Sequence, residues 1–415
     1  MRPMVRRLVL TLSVLAAVMM VQAFAVAPSA LAIRATPGDT WNTAGAVFAT
    51  ALSEDGKTLY IGGKFTQVRE NPPGVPGGAT VQASNVAAID VATGAAIPSW
   101  NPQVTGDGAA VHSLAVKDGK VYIGGNFTAV GGEPRQNLAA VSATDGSVDP
   151  FAPQVSKTTK RPWVYTVLAG DSKLYAGGLF NTVDGKTRGN LAAFDLATGE
   201  LDPAWKPKTN NKVRDLEFAS NGASIFVAGR FTHVYGSDRI QADRQSVARV
   251  YTDTGNLHPW AIPAGTIGTP QQGWDLTATS TRLYGGFGAG PNFLAAFHLD
   301  TGDVGQQAWR FRTVGNVQTI ALSPDRSRLF FGGHFGTNVN EQRVCGDQWL
   351  SGLASVNPAT GSLYCDWLPQ LAPSQNNGNG AWALTTTGGT HLWVGGGFTS
   401  VSGVEQSNLA RFGGL

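Results

Sequence analysis

The chain has 415 residues and a formal net charge of +3. Three of its 31 Lys and Arg, namely Arg2, Arg6 and Arg7, lie in the first seven residues, and the remaining 28 balance 28 Asp and Glu. A formally neutral body without a basic stripe excludes phosphate-backbone binding, so nucleic acid is not an expected partner.

Residues 8 to 27 are almost wholly apolar and lead into Pro28 and the small-residue pattern Ala30-Leu31-Ala32. Basic start, apolar stretch and Ala-x-Ala site together predict a signal peptide over residues 1–32, cut after Ala32. The competing reading is an uncleaved anchor, because about 20 apolar residues can span a bilayer. No cysteine lies near the cut, which argues against a lipid anchor, and Arg6-Arg7 leave a twin-arginine export route open. The mature chain, residues 33–415, is expected to be secreted or held at the cell surface, with no membrane association once the leader is removed. The leader and the Ala- and Gly-rich composition suit a bacterium.

Downstream, one motif recurs seven times: Leu59-Tyr-Ile-Gly-Gly-Lys-Phe65, Val121-Tyr-Ile-Gly-Gly-Asn-Phe127, Leu174-Tyr-Ala-Gly-Gly-Leu-Phe180, Ile225-Phe-Val-Ala-Gly-Arg-Phe231, Leu283-Tyr-Gly-Gly-Phe287, Leu329-Phe-Phe-Gly-Gly-His-Phe335 and Leu392-Trp-Val-Gly-Gly-Gly-Phe398. Second glycines fall at 63, 125, 178, 229, 286, 333 and 396, a period of roughly fifty residues that marks a repeat architecture. Each copy carries four parts: an apolar run such as Val111–Val116, the glycine segment, a run such as Asn137–Val141, and a tail in which an aromatic is closely followed by proline. Four strands of about five residues joined by tight turns make one propeller blade. The fold expected is therefore all-β: a seven-bladed β-propeller of four-stranded antiparallel blades spanning residues 33–415.

The tails number six, at Trp100, Phe151, Trp205, Trp260, Trp309 and Trp367, against seven glycine segments. The seventh copy ends at Asn408–Phe412, and Thr36-Pro-Gly-Asp-Thr-Trp41, ahead of the first copy, resembles the missing tail. The N-terminal strand is expected to complete the last blade and close the ring, which removes free sheet edges. Within the sixth copy stand the two cysteines, Cys345 and Cys365. In an exported chain they read as a disulfide closing a loop of about 20 residues and contributing roughly 3 kcal/mol; the alternative is two buried thiols. No His stands at zinc-ligand spacing beside them, and neither metal nor cofactor is expected.

The run Asp118-Gly-Lys-Val-Tyr-Ile-Gly-Gly-Asn-Phe-Thr128, with Asn-Leu-Ala-Ala and an Asp-Pro-x-Trp tail downstream, resembles the delta-60 type repeat of bacterial propellers. It is also similar to the propeller of fungal cortical-marker proteins of the Rax2 type. The resemblance covers nearly all of residues 33–415 and implies an exported or surface propeller, but it implies no agreed activity and supplies no catalytic residue. Two copies depart from it: Ala228 replaces a first glycine, and Gly285-Gly286-Phe287 is one residue short.

In such a blade the loop between the second and third strands and the link into the next blade emerge on one face. Here those segments are the longest and least alike, at 66–84, 232–246 and 336–351 with links at 154–162 and 370–380, as a binding face would be, although drift in exposed loops gives the same pattern. Aligning the first strands gives a column of Phe48, His112, Tyr165, Arg214, Trp274, Gln318 and Trp382 whose neighbours stay small or aliphatic. On innermost strands this column forms a ring at the channel mouth. Its aromatic faces and polar groups suit a sugar or a peptide; blade packing without a ligand is the plainer account.

No metalloprotease, nucleophile-elbow or phosphate-loop motif is present, and the histidines at 112, 233, 258, 298, 334 and 391 are scattered over different copies. His112, Tyr165 and Arg214 come from successive copies, which leaves a polysaccharide lyase conceivable. The Asp-x-x-Thr-Gly segments read as hairpin turns, not calcium loops. The expected function is a monomeric, non-enzymatic binding propeller for a polysaccharide or an extracellular protein. The alternatives are a carbohydrate-active lyase or hydrolase and an envelope assembly scaffold.

Overall fold

The computed structural model describes residues 33–72, 74–158, 161–268, 271–300, 302, 304–336, 342–374 and 379–415. The expected leader, residues 1–32, lies outside them. The described residues form strands and turns without a helix. No helix among them is long and apolar enough to cross a membrane.

Every glycine segment is a strand paired on both sides. Thr58–Arg69 runs between Asn42–Leu52 and Val86–Asp90. The same antiparallel arrangement recurs about Lys120–Asn126, Lys173–Leu179, Ser224–Gly229, Arg282–Gly288, Leu329–Gly333 and His391–Val401. These strands are buried on both faces, which explains why they read as continuous apolar runs instead of alternating ones. Seven apolar clusters among the described residues each join two consecutive sheets, and one of them joins the first sheet (Val47, Ile61) to the seventh (Trp393, Leu409).

The fourth strand departs from expectation. Among the described residues only the fifth sheet carries its tail, Gln307–Arg312, as a full fourth strand. Elsewhere the tail makes one isolated bridge, such as Ile89 with Ala96, Val141 with Val148 or Phe194 with Leu201. In four of these tails a proline, Pro98, Pro150, Pro203 or Pro259, stands just ahead of the aromatic; the sixth, Leu363–Trp367, is as short without one. Proline removes the N–H that would extend the ladder, whereas Gln307–Arg312 contains none.

Both glycines are explained by space. A Cβ on the second glycine, at 63, 125, 178, 229, 333 or 396, would sit closer than 3.0 Å to a carbonyl oxygen of the neighbouring first strand. A Cβ on the first would strike the next sheet: Gly62 meets Val111, Gly124 Val164, Gly177 Val213, Gly332 Ala381 and Gly395 Val47. The fifth copy must be re-aligned, because Asp275 pairs with Gly286 and Gly273 with Phe287. Gly286 therefore occupies the first-glycine position, against Val317, and Phe287 the second. Ala228 is accommodated by exchange: the following sheet has Gly273 where the others have Val or Ala, and a Cβ there would lie 3.1 Å from that of Ala228.

The asparagines that open the third strands turn the chain with φ of 66° at Asn85, 67° at Asn137, 69° at Asn190 and 66° at Asn408, a conformation Asn tolerates. Each accepts the N–H of its second glycine on its own carbonyl and passes its side-chain amide onward, Asn85 to the Val104 carbonyl (2.8 Å) and Asn190 to that of Thr209 (3.0 Å). Asn408, in the last sheet, reaches the Thr43 carbonyl at 2.8 Å, at the start of the first. Cys345 and Cys365 are at disulfide distance, with Cα atoms 5.7 Å apart. The Asp-x-x-Thr-Gly segments are turns: Asp195 accepts from the Thr198 N–H at 2.9 Å and Gly199 takes φ 73°.

Candidate functional site

Opposite the two glycine positions of every copy the first strand slips by one residue, and the bulged residue is Phe48, His112, Tyr165, Arg214, Trp274, Gln318 or Trp382. A bulge re-aims the side chain it carries, and all seven of these side chains line one cavity of about 180 Å³. The column read from the sequence is thus a column of bulges, one in each copy at the same register.

The ring packs upon itself. Phe48 stacks on His112 (5.4 Å between centroids) and meets Trp382 edge-on (5.5 Å), while Trp382 meets Trp274 at 5.9 Å. His112 meets Tyr165 at 5.6 Å. The guanidinium of Arg214 lies over the rings of Tyr165 (4.0 Å) and Trp274 (4.7 Å). Burial, reinforced by Arg214, pushes His112 down to about 4, so it is neutral at pH 7. Its Nε2 donates to Asn126 Oδ1 at 3.1 Å, with Asn126 held through its own amide to the Gly108 carbonyl.

Several polar atoms of this ring are buried with no partner: Arg214 Nε, Trp274 Nε1 and both amide atoms of Gln318, a residue only 5% exposed. Native interiors leave few such atoms unsatisfied.

Beneath the ring lies a layer the sequence reading missed. The next residues along the strands include Ser113, Asp215 and Asp275, so the expectation of small or aliphatic neighbours fails at the two acids. Each crosses to the following sheet: Ser113 Oγ accepts the Val167 N–H (2.9 Å), Asp215 Oδ2 that of Leu276 (2.9 Å) and Asp275 Oδ2 that of Ile320 (2.7 Å). Glu217, deeper, accepts the Ala278 N–H at 3.2 Å. Burial raises Asp215 to about 6 and Glu217 to about 8, the latter with help from Asp215. Burial and then the Asp215 charge raise Asp275 well above the carboxylate range, and its proton bonds it to Asp215. The signal was available in Arg214-Asp-Leu-Glu217 and Trp274-Asp275, acids inside apolar strands.

The loops and links do share a face. Link residues Val104–Thr105 pair with the loop hairpin Ala129–Val130, Val155–Ser156 with Thr182–Val183, and Lys208–Thr209 with His233–Tyr235. No group of three or more His, Cys, Asp or Glu suited to a metal occurs among the described residues.

A wider cavity, of about 1010 Å³, opens between the second and third sheets beside Phe151. Five tails use tryptophan, whose indole donates across to a carbonyl: Trp100 to Ser142 (2.9 Å), Trp205 to Tyr251 (3.1 Å), Trp260 to His298 (3.1 Å), Trp309 to Pro358 (2.8 Å) and Trp367 to Arg34 (2.9 Å). At Phe151 that indole is missing. Phe151→Trp is expected to fill part of the gap, donate to the Asp195 carbonyl and raise stability by about 1 kcal/mol in denaturant unfolding; no gain would show that the seam has another cause.

A β-propeller family described as a domain of unknown function, DUF5122, matches residues 117–151, one glycine strand with its following strand and tail. No curated protein matches the chain. Among solved structures, the WD40 β-propeller domain of Doa1 is similar at 12% identity, with a TM-score of 0.51 over 91% of this chain and 97% of that one. The computationally designed Ika8 protein is similar at 13% identity, with a TM-score of 0.48 over 90% and 98%. The chain is a β-propeller of repeated units.

Proposed function

We propose that this is a secreted, non-enzymatic binding propeller that engages a polysaccharide, or failing that a cell-surface protein, through the ring of bulge residues. The reading takes the sheets as seven four-stranded blades, with the N-terminal strand completing the last one. Support for closure comes from the Asn408 bond to Thr43, from Gly395 against Val47, and from the Gly38 bridge to Arg411. The likeness to delta-60 and cortical-marker propellers fits the same account.

The observation that carries the function is one cavity ringed by seven bulge side chains, several with buried polar atoms awaiting partners. At about 180 Å³ it holds about six waters at roughly 30 Å³ each, below the range for drug-sized ligands. It therefore takes the end of a glycan, not the middle of a strand. The hydrolase alternative draws on the acid pair Asp215 and Asp275, but these bond to one another, whereas retaining hydrolases separate their carboxyls by about 5 Å.

A glycan array probed with residues 33–415, with a product assay on each hit, tests the reading. Trp274→Ala with Trp382→Ala is expected to weaken a hit at least tenfold, about 1.4 kcal/mol, without turnover by either protein. A folded sample with no hit removes the polysaccharide and leaves a protein partner; products from a hit would make it an enzyme.

A further inference from the structure

Resting on that reading, we infer that the ligand enters the ring with an acidic sugar of the uronate type, its carboxylate gripped by the edge of Arg214 and its hydroxyls by Gln318. The guanidinium carbon sits over two rings, 4.0 Å from the centroid of Tyr165 and 4.7 Å from that of Trp274. The guanidinium's hydrogen-bond donors all point outward in its own plane. Among the described residues none of those donors has a hydrogen-bond acceptor, and no acid lies within ion-pair distance of Arg214. The acids below are committed elsewhere, Asp215 and Asp275 to backbone N–H groups and to each other, Glu217 to Ala278.

Two further cations lie close by, Lys212 near Arg214 and Arg230 near Lys212: after the larger effect of burial, the charges of Arg214 and then Arg230 push Lys212 down to about 8. Neither has an ion-pair partner among the described residues, and His112 is neutral. Unpaired charge in a partly buried mouth is costly, and an in-plane, two-oxygen acceptor is what a guanidinium edge fits best. The amide of Gln318 separates a sugar acid from an acidic peptide side chain. Its donor and its acceptor are both unpaired, and a sugar hydroxyl both gives and accepts a hydrogen bond whereas a carboxylate only accepts.

The test uses residues 33–415 and calorimetric titration with oligosaccharides ending in glucuronate or galacturonate, beside the same oligosaccharides after reduction of the terminal carboxyl to an alcohol. Binding of an acid form at least tenfold tighter than its reduced form, with the ratio falling as salt is raised, is the expected result. Arg214→Gln is expected to bring the ratio close to one; because the wild-type comparison needs no variant, a misfolded Arg214→Gln leaves the inference exposed to it. Equal affinity for acid and reduced forms overturns the inference while leaving the ring a sugar site. Binding of neither form overturns both. A peptide ending in glutamate that binds where the uronates do not would keep the carboxylate and overturn the sugar.

Discussion

A chain lacking residues 33–44 is expected to melt at least about 5 °C below the mature protein. The segment is tied to the last sheet at many points: Gly38 N–H donates to the Arg411 carbonyl at 2.7 Å, and Ser402 Oγ to that of Ala35 at 3.0 Å. Asn42 Oδ1 accepts from the Ser407 N–H at 2.6 Å and from Gln406 Nε2 at 3.1 Å. Its loss strands the Trp367 indole, which donates to Arg34, and the Asn408 amide, which donates to Thr43. It also uncovers the cluster that Ile33 helps to close. Each stranded buried group costs about 1–3 kcal/mol, and several together exceed about 5 kcal/mol, which at about 2.1 cal/mol/K per residue is roughly 1 °C per kcal/mol in a chain of this size. Calorimetric melting of the two chains decides it. Equal melting temperatures would sink the closure proposed for the ring.

Stability is expected to fall as pH rises from about 4.5 to about 8, and Glu217→Gln to remove much of that fall. Glu217 is raised from 4.5 to about 8 by burial and by the Asp215 charge. Between those values the folded chain holds a proton that the unfolded chain has released, so each pH unit costs up to about 1.4 kcal/mol. Below pH 4.5 both states are protonated and the effect vanishes; above pH 8 both are ionised and the loss is complete. Glutamine keeps a carbonyl oxygen for the Ala278 N–H and cannot ionise. Urea unfolding of both proteins at pH 5 and pH 9 tests this, with the variant gaining only at pH 9. A variant no more stable than wild type at pH 9 would mean that Glu217 ionises there without penalty.

The repeat was legible because the backbone demands it. Glycine at 62 and 63 is forced by Val111 and by the Ala46 carbonyl, and the same collisions recur along the chain. The ring was legible for a related reason, since bulges at fixed register keep Phe48, His112 and the other five in one alignment column. Less legible was the strength of the outer strand: in four tails a proline such as Pro150 cuts the pairing short, which a pattern of apolar residues does not weigh. The acids went unread because a repeat alignment weights what recurs. Asp215, Glu217 and Asp275 belong to two sheets only, and their partners lie 45 to 61 residues on, across a seam.

The exchange of Ala228 and Gly273 gives this rotor a phase. At six seams a glycine of one copy accepts the bulk of its successor's Val or Ala; at Ala228 the bump and the hollow trade sides. A copy moved from elsewhere into the fourth place would leave a void there, and one moved into the fifth would bring a valine against Ala228. Neither copy is a free spare part for the others, so the two must have changed in concert. The order of copies along the chain is written into the geometry of one joint, and a molecule that looks periodic has a definite starting mark.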